Sequence, residues 1–275
     1  MTLLERLKTT PAPPVLYHYT TQAGLLGILR SNCIWATAAH YLNDSSEYAY
    51  GLQLITDGLS EASKQAISER EAANLSAIAQ SLSPFLGVCV ASLTSHGDLL
   101  SQWRAYAGNS GGFALGIRSQ YLRKVAHTQG FYLVRCIYTH KNQQQAIGEV
   151  IKEFRARMKS SPNWGPNDQG GCVAAAMRLA VMLKDRSFAE EREWRLISMP
   201  KMISELDFRQ GTSMLVPFFK FALEDDTDAY LDSVRVGPTP HRELAVNSVR
   251  MLLRKLTLSD PEDKVTETRI PFRNW

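Results

Sequence analysis

The 275-residue sequence lacks any hydrophobic run long enough to cross a membrane. A spanning helix needs about 20 consecutive apolar residues, and no stretch approaches that length. The first 14 residues, MTLLERLKTTPAPP, also lack the apolar core of a signal peptide. The sequence therefore predicts a cytoplasmic protein without a membrane partner.

Cysteine and metal-binding patterns are also scarce. The four cysteines form no CxxC pair, and in a chain of this size they do not indicate a disulfide framework. Cys33, Cys89 and Cys136 lie in apolar runs, which predicts buried, reduced thiols. No two of the six histidines are four residues apart and no HExxH motif occurs, so we expect no protein-built metal site.

The common nucleotide and hydrolase motifs are missing. GxGxxG after a strand and GxxxxGK[ST] do not occur, which argues against Rossmann and P-loop sites. The GxSxG string at 108–112 lies in a turn between a predicted helix and a predicted strand, so it does not form the strand-to-helix elbow of an α/β-hydrolase. A strong charge of one sign is missing too. The net charge of +4 fits a cationic pocket for a phosphorylated ligand, a nucleic-acid partner, or an ordinary surface equally well.

What is present is an ordinary globular composition, 44% hydrophobic and 21% charged, with strands and helices mixed along the chain. Without strict βαβ alternation, repeats or low-complexity linkers, this order predicts one α+β domain over 1–275, with a mixed or antiparallel central sheet flanked by helices. Pro217 marks its strand as an edge strand. Strands are predicted at 15–19, 33–37, 87–93, 113–117, 131–138, 193–198, 214–218 and 231–237. Helices are predicted near 2–8, 24–29, 46–58, 60–82, 99–107, 141–159, 171–185 and 240–256. Thr20 and Thr21 offer hydroxyls that can cap the second of these helices. Turns are predicted at Asn43-Asp44 and 108–112, and a polar loop at 161–171.

Three polar groups lie at the edges of apolar strands, and the first is His18 with Thr20. On a strand they share one face, with Tyr17 and Tyr19 on the other. Such a pair near a strand end can hold the ribose hydroxyls of a ligand. The alternative is a buried histidine that hydrogen-bonds the backbone.

The second group follows the strand at 87–93. Ser92 and its neighbouring hydroxyls can contact a ligand, although such residues more often cap the next helix. Trp103 and Tyr106 offer a stacking surface, and Arg104 offers a phosphate contact. The alternative for Trp103 is a place in the core.

The third group is the acidic run that enters the strand at 193–198. Glu191 and Glu193 are two residues apart, so in an extended segment they point the same way. Because like charges repel, at least one should have a perturbed pKa or an arginine partner. A surface acidic turn is the alternative, but Phe188, Trp194 and Leu196 flank the acids with apolar anchors.

Six runs follow one another along the chain: LYHYTTQAGLLGILRSNCIWAT, YLNDSSE, SQWRAYA, GGFALGI, FAEEREWRLI and VRVGP. Taken in this order, they resemble the bacterial domain-of-unknown-function family numbered 2971, over about residues 15–255. A further resemblance is to ADP-ribosyltransferases, which carry a histidine or arginine on the first strand, a hydroxyl or tyrosine on a middle strand, and a late catalytic glutamate, often in an ExE pair.

The second resemblance implies an ADP-ribosyltransferase-like fold with NAD as the substrate. His18 resembles the histidine of the His-Tyr-Glu and RNA-phosphotransferase branches, whereas the ExE pair resembles that of the Arg-Ser-Glu branch. This mixture leaves the middle residue open between Ser92 and Tyr106, and leaves the acceptor open as well.

The implied roles divide between the carboxylates and the cofactor-side residues. Glu193 stabilises the positive charge on the ribose and Glu191 orients or deprotonates the acceptor. The remaining residues contact NAD. His18 and Thr20 position its riboses, the ring of Tyr19, Trp103 or Tyr106 stacks on nicotinamide, and Arg104 or Arg30 neutralises the pyrophosphate.

The leading hypothesis is therefore an NAD-dependent ADP-ribosyltransferase-like enzyme, such as a toxin or phage-defence effector, that modifies nucleic acid or protein. One alternative is a non-catalytic nucleotide- or nucleic-acid-binding module, which needs no ExE pair. Another is a different nucleotide-processing activity, such as NAD hydrolysis or RNA 2′-phosphate transfer.

Overall fold

A computed structural model describes residues 2–42, 45–82, 87–106, 111–224 and 226–271. The turn predicted at Asn43-Asp44, and most of the turn predicted at 108–112, lie outside these residues. The described chain contains one open, mixed ten-stranded sheet flanked by helices, which confirms the predicted α+β class. The strands are β1 (Val15–Thr21), β2 (Cys33–Ala38), β3 (Cys89–Thr94), β4 (Gly112–Arg118), β5 (Phe131–Arg135), β6 (Glu193–Ser198), β7 (Asp207–Gln210), β8 (Leu215–Ala222), β9 (Leu231–Val236) and β10 (Val265–Glu267).

The helices differ from the predicted pattern mainly in their bounds. The break expected near residue 59 occurs at 65–68, and a helix at 119–128 was not predicted. The polar loop predicted at 161–171 ends earlier, because Pro166 starts a helix, a favourable position for proline. The helices are α1 (Leu3–Lys8), α2 (Gln22–Ser31), α3 (Ser45–Lys64), α4 (Glu69–Ser81), α5 (Leu100–Tyr106), α6 (Ser119–Thr128), α7 (His140–Ser160), α8 (Pro166–Ala180), α9 (Thr227–Tyr230), α10 (Arg242–Lys255) and α11 (Pro261–Lys264).

The sheet forks at β3. The main path runs β10-β9-β4-β1-β3-β2-β8-β7, and β6 pairs with both β3 and β5. One edge of β3 pairs with β6 from Val90 to Thr94. The other edge is shared, because β2 pairs at Cys89 and Val90 whereas β1 pairs at Thr94. Ser92 thus lies where β1 and β2 separate.

Two large hydrophobic clusters cover opposite faces of the sheet. The first face carries Leu16, Leu93 and Trp194, packed with residues of α2, α6 and α10. The second carries Val90 and Ile197, packed with residues of α3, α7 and α8. Because side chains alternate along a strand and register partners share a face, these clusters show which way each strand residue points.

The edge-strand prediction for Pro217 is wrong for the strand and right for the residue. β8 lies between β2 and β7. Its pairing with β2 begins at Phe218, however, so at Pro217 the strand has only Phe208 of β7 beside it. The missing N–H of proline is tolerated at such a position.

All four cysteines are free and buried, which confirms the prediction for Cys33, Cys89 and Cys136. Burial raises the pKa of the Cys89 thiol to about 11. Among the described helices, none has the length and apolar character that crossing a membrane requires.

Candidate active site

A cluster of charged side chains surrounds the start of β6. Glu193 is 5% exposed, and its carboxylate accepts hydrogen bonds from Arg195 at 2.8 and 2.9 Å and from Lys184 at 2.8 Å. Glu47 on α3 bridges the same two cations, at 3.0 Å from Lys184 and 2.7 Å from Arg195. Glu191 completes the cluster through an ion pair with Lys184. Charged groups are buried in this way only when they are paired.

The two glutamates of the ExE pair converge, but not through an extended segment. Glu191 ends a short 3₁₀ helix, and Arg192 follows in the left-handed backbone region at φ 47°. This residue turns the chain before β6 begins, so both carboxylates reach Lys184. The two side chains point toward one partner, as predicted, but the segment that joins them is a turn and not a strand.

The shared cations separate the acidities of the pair. Burial acts to raise the pKa of Glu193, but the charges of Arg195 and Lys184 outweigh it and hold that pKa at about 2. Burial raises the pKa of Glu191, and the nearby Glu193 and Glu47 add to the effect against the opposing pull of Lys184. The expectation of a perturbed pKa and an arginine partner is therefore confirmed.

Tyr106 packs on the same face of the sheet as this pair. Burial, followed by the negative charges of Glu193 and Glu191, raises the pKa of its phenol to about 12. Its ring is half-buried and packs with Tyr17 against the cluster formed by Tyr19, Trp103 and Ala114. Tyr106 therefore lies on the same face of the sheet as the glutamate pair, where the charges of Glu191 and Glu193 act on its phenol.

His18 occupies the fork of the sheet. Its Nδ1 lies 2.9 Å from the carbonyl oxygen of Ser92, and burial lowers the pKa of its imidazole. This is the backbone-bonded histidine that the sequence offered as the alternative. Alternation places His18 with Leu16 on the first face of the sheet, whereas Glu193 aligns through Thr94 with Tyr17 on the second. Strand geometry thus separates His18 from the carboxylates.

Thr20 shares the face of His18, as predicted, and Tyr17 and Tyr19 lie on the other face. The Thr20 hydroxyl packs closely on the first turn of α2, where a Cβ added to Gly24 would lie 1.8 Å from its oxygen. Ser92 aligns with Arg195, so its side chain faces the second side of the sheet with the charged cluster.

The stacking role predicted for Tyr19 and Trp103 is wrong. Trp103 has no exposed surface and Tyr19 has 6%, because the two rings pack edge to face with centroids 4.6 Å apart. Trp103 also donates its indole N–H to Asp98 at 2.8 Å. Neither ring can therefore present a face to nicotinamide. Trp103 lies in the core, which was the alternative given for it in the sequence analysis.

The two arginines proposed for the pyrophosphate lie on different helices. Arg30 is exposed in the last turn of α2, which packs on the first face. Arg104 is exposed on α5, whose Trp103 packs on the second face. Of the two, Arg104 is therefore on the side of the glutamate pair.

Sequence reasoning did not assign roles to Glu47, Lys184 and Arg195. Glu47 and Arg195 lie within two of the family motifs, YLNDSSE and FAEEREWRLI. Their place in those motifs is the signal that could have identified them. Lys184 lies outside every quoted motif. Across the described ranges, no group of three or more His, Cys, Asp or Glu side chains is placed to hold a metal ion.

A groove of about 770 Å³ lies on the other side of the molecule, between α2 and α10. It borders Phe113, the register partner of Thr20. Its walls are mostly apolar, which suits a pyrophosphate poorly. The lining residues include Leu25, Leu26, Leu244, Val249 and Leu252.

The comparison with protein families supports one of the two resemblances. Residues 102–196 match the model of a family described as a protein of unknown function, DUF2971. The matched segment includes Tyr106, Lys184 and the glutamate pair, and is shorter than the resemblance drawn from the motifs. No curated protein and no solved structure matches the chain.

Proposed function

We propose that this protein is an NAD-dependent ADP-ribosyltransferase-like enzyme whose active site lies at the Glu191/Glu193 pair. The observation that supports it is the convergence of both carboxylates on Lys184, in a buried cluster that Arg195 and Glu47 complete. Glu193 stays ionised with a pKa of about 2, whereas the pKa of Glu191 is raised. Paired titratable groups whose environments push their pKa values apart are typical of acid–base sites.

The charge of the cluster suits cleavage of the nicotinamide–ribose bond. Three carboxylates face two cations, which leaves one net negative charge when all are ionised. As the bond from nicotinamide N1 to ribose C1′ breaks, its electron pair leaves with neutral nicotinamide. The ribose then carries an oxocarbenium-like positive charge, which the negative cluster stabilises.

The geometry favours different roles for the two glutamates from those that the resemblance implied. Both oxygens of Glu193 are occupied by Arg195 and Lys184, so this residue orients the cluster. The Glu191 side chain is 20% exposed and has the raised pKa. In the proposal, Glu191 accepts the proton of the acceptor nucleophile as that nucleophile bonds to C1′.

The test is incubation of the folded protein with labelled NAD and a panel of RNA, DNA and protein acceptors. Chromatography measures nicotinamide release, and label transfer identifies the acceptor. Glu191→Gln should lower turnover about 10²- to 10⁴-fold, the usual contribution of a general base. The matched control is Glu190→Gln, which changes an adjacent exposed carboxylate and should leave turnover unchanged.

The outcomes separate the proposal from its rivals. Nicotinamide release without label transfer indicates NAD hydrolysis, and phosphate movement from RNA indicates 2′-phosphate transfer. Binding of NAD or RNA without any product favours the non-catalytic module. The enzyme proposal is abandoned if folded protein gives neither nicotinamide nor transfer with the whole panel.

A further inference from the structure

Trp35 on β2 presents a flat aromatic surface to solvent. It is 47% exposed, and its indole stacks on Phe218 with centroids 4.5 Å apart and an interplanar angle of 29°. Phe218 is itself 3% exposed, so the indole rests on a fixed support. An exposed ring held in this way is ready to stack with another planar group at little cost in conformational entropy.

Two cations border this aromatic shelf, which we define as Trp35 and Phe218. Lys220 is the register partner of Trp35 and forms an ion pair with Asp207 at 2.6 Å. Arg209 donates from Nη2 to the Thr37 hydroxyl at 3.4 Å, and its buried Nε has no hydrogen-bond partner among the described residues. The border therefore carries two positive charges and one negative charge.

The shelf lies on the same face of the sheet as the glutamate pair. Thr37 aligns with Val90 on the second face, and Trp35, two residues along β2, points the same way. The antiparallel register that sets Thr37 opposite Val90 would, if extended by two residues, set Trp35 opposite Ser92. Ser92 lies at the fork. The shelf therefore borders the fork on the side of the proposed site.

We infer that the shelf binds an unpaired base of a single-stranded nucleic acid, and hence that the acceptor of the proposed transfer is a nucleic acid. The part of this inference that concerns the acceptor rests on the proposed function. Every base has a flat π surface that can stack on an aromatic side chain, and flanking cations bind the adjoining phosphates. A protein acceptor lacks the regular succession of planar bases and phosphates that a single strand presents.

The experiment measures the binding of fluorescein-labelled single-stranded RNA and DNA 12-mers by fluorescence anisotropy. Trp35→Ala should weaken binding about ten-fold, the typical loss for one stacking side chain, and Trp35→Phe should recover most of it. Lys220→Ala should reduce the slope of log affinity against log salt by about 1. Met251→Ala is the matched control, because Met251 is exposed to 67% on α10 and should bind like the wild type.

Several results would overturn the inference. Unchanged binding by Trp35→Ala would do so, provided circular dichroism shows all variants folded. Equal affinity for free AMP would assign the shelf to a free nucleotide. Trp35-dependent label transfer to protein alone would point to a protein acceptor. Strand binding that depends on Trp35, without NAD turnover, would support the shelf and reject the proposed enzyme. NAD turnover without such binding would support the enzyme and reject the shelf.

Discussion

At the scale of single residues, the central feature is a carboxylate that is buried yet charged. Glu193 remains ionised because Lys184 and Arg195 both donate to it. Burial of an unpaired carboxylate would cost several kcal/mol. The pairing is therefore needed for folding, whatever chemistry the cluster performs.

The acid sensitivity of the fold should follow from this residue. The pKa of Glu193 is lowered from 4.5 to about 2, so its stabilising contribution is present above pH 4.5 and lost as the pH falls toward 2. The contribution is on the order of 3 kcal/mol. Glu193→Gln should lower the free energy of unfolding at pH 7 and make it less sensitive to acid, as measured by urea denaturation from pH 7 to pH 3.

Glu190→Gln is the control, because this exposed neighbour should retain the wild-type pH dependence. Glu191 opposes the trend, because its pKa is raised in the folded protein. The stability that its protonation contributes is present at pH values below its ordinary pKa and is lost as the pH rises through the raised pKa. Parallel pH curves for wild type and Glu193→Gln would contradict the assignment.

The sequence could predict part of this cluster. Glu191, Glu193 and Arg195 lie within five residues, so repulsion and a nearby arginine were foreseeable. Glu47 precedes Glu193 by 146 positions, and its contact depends on how α3 packs on the sheet. Spacing along the chain cannot show such a contact.

At the scale of elements, the close contact between β1 and α2 depends on one glycine. Gly24 sits in the first turn of α2, and a Cβ there would lie 1.8 Å from the Thr20 hydroxyl oxygen. The short strand-to-helix turn leaves no room for a side chain. The capping role of Thr21, which accepts from the Gly24 N–H at 3.2 Å, was predicted from the sequence.

Gly24→Ala should therefore destabilise the protein by about 1–3 kcal/mol through overpacking. Gly27→Ala is the matched control, because nothing lies within 4 Å of a Cβ at that position of the same helix. It should stabilise by about 0.5–1 kcal/mol, the helix preference of alanine over glycine. Chemical denaturation of both variants measures the difference, and a stabilised Gly24→Ala would refute the packing argument.

Element identities were largely predictable and their neighbours were not. The β-branched and aromatic runs identified β1, β2, β4, β6 and β9 close to their actual bounds, because half-buried strands select those residues. The pairing of β3 with β6 joins residues about 100 positions apart. No turn signal encodes that register.

At the scale of the whole molecule, the reactivity of the four thiols can show whether distant regions of the fold are closed to solvent. Cys33 and Cys89 lie in the sheet, Cys136 follows β5, and Cys172 lies in α8. Each is at most 6% exposed. Burial raises the pKa values of Cys89, Cys136 and Cys172, which disfavours the reactive thiolate.

We expect no thiol to react promptly with Ellman's reagent at pH 8 in the native protein, and all four to react in denaturing urea. The slow native rate should rise with urea as the fold opens. Colour development measures both rates. Prompt reaction of one thiol in the native protein would place that cysteine in a region that opens locally.

The fork at β3 has a consequence for synthesis on the ribosome. β1 is complete at Thr21, but β6, the strand that completes β3, ends at Ser198, and β9, which flanks β4, ends at Val236. At 5–20 residues per second, about 10–40 s separate the first strand from the last of these partners. Throughout that interval the nascent chain has open strand edges, which can pair with other chains. The yield of folded protein in the cell therefore depends on chaperones that protect these edges, as well as on the stability of the finished fold.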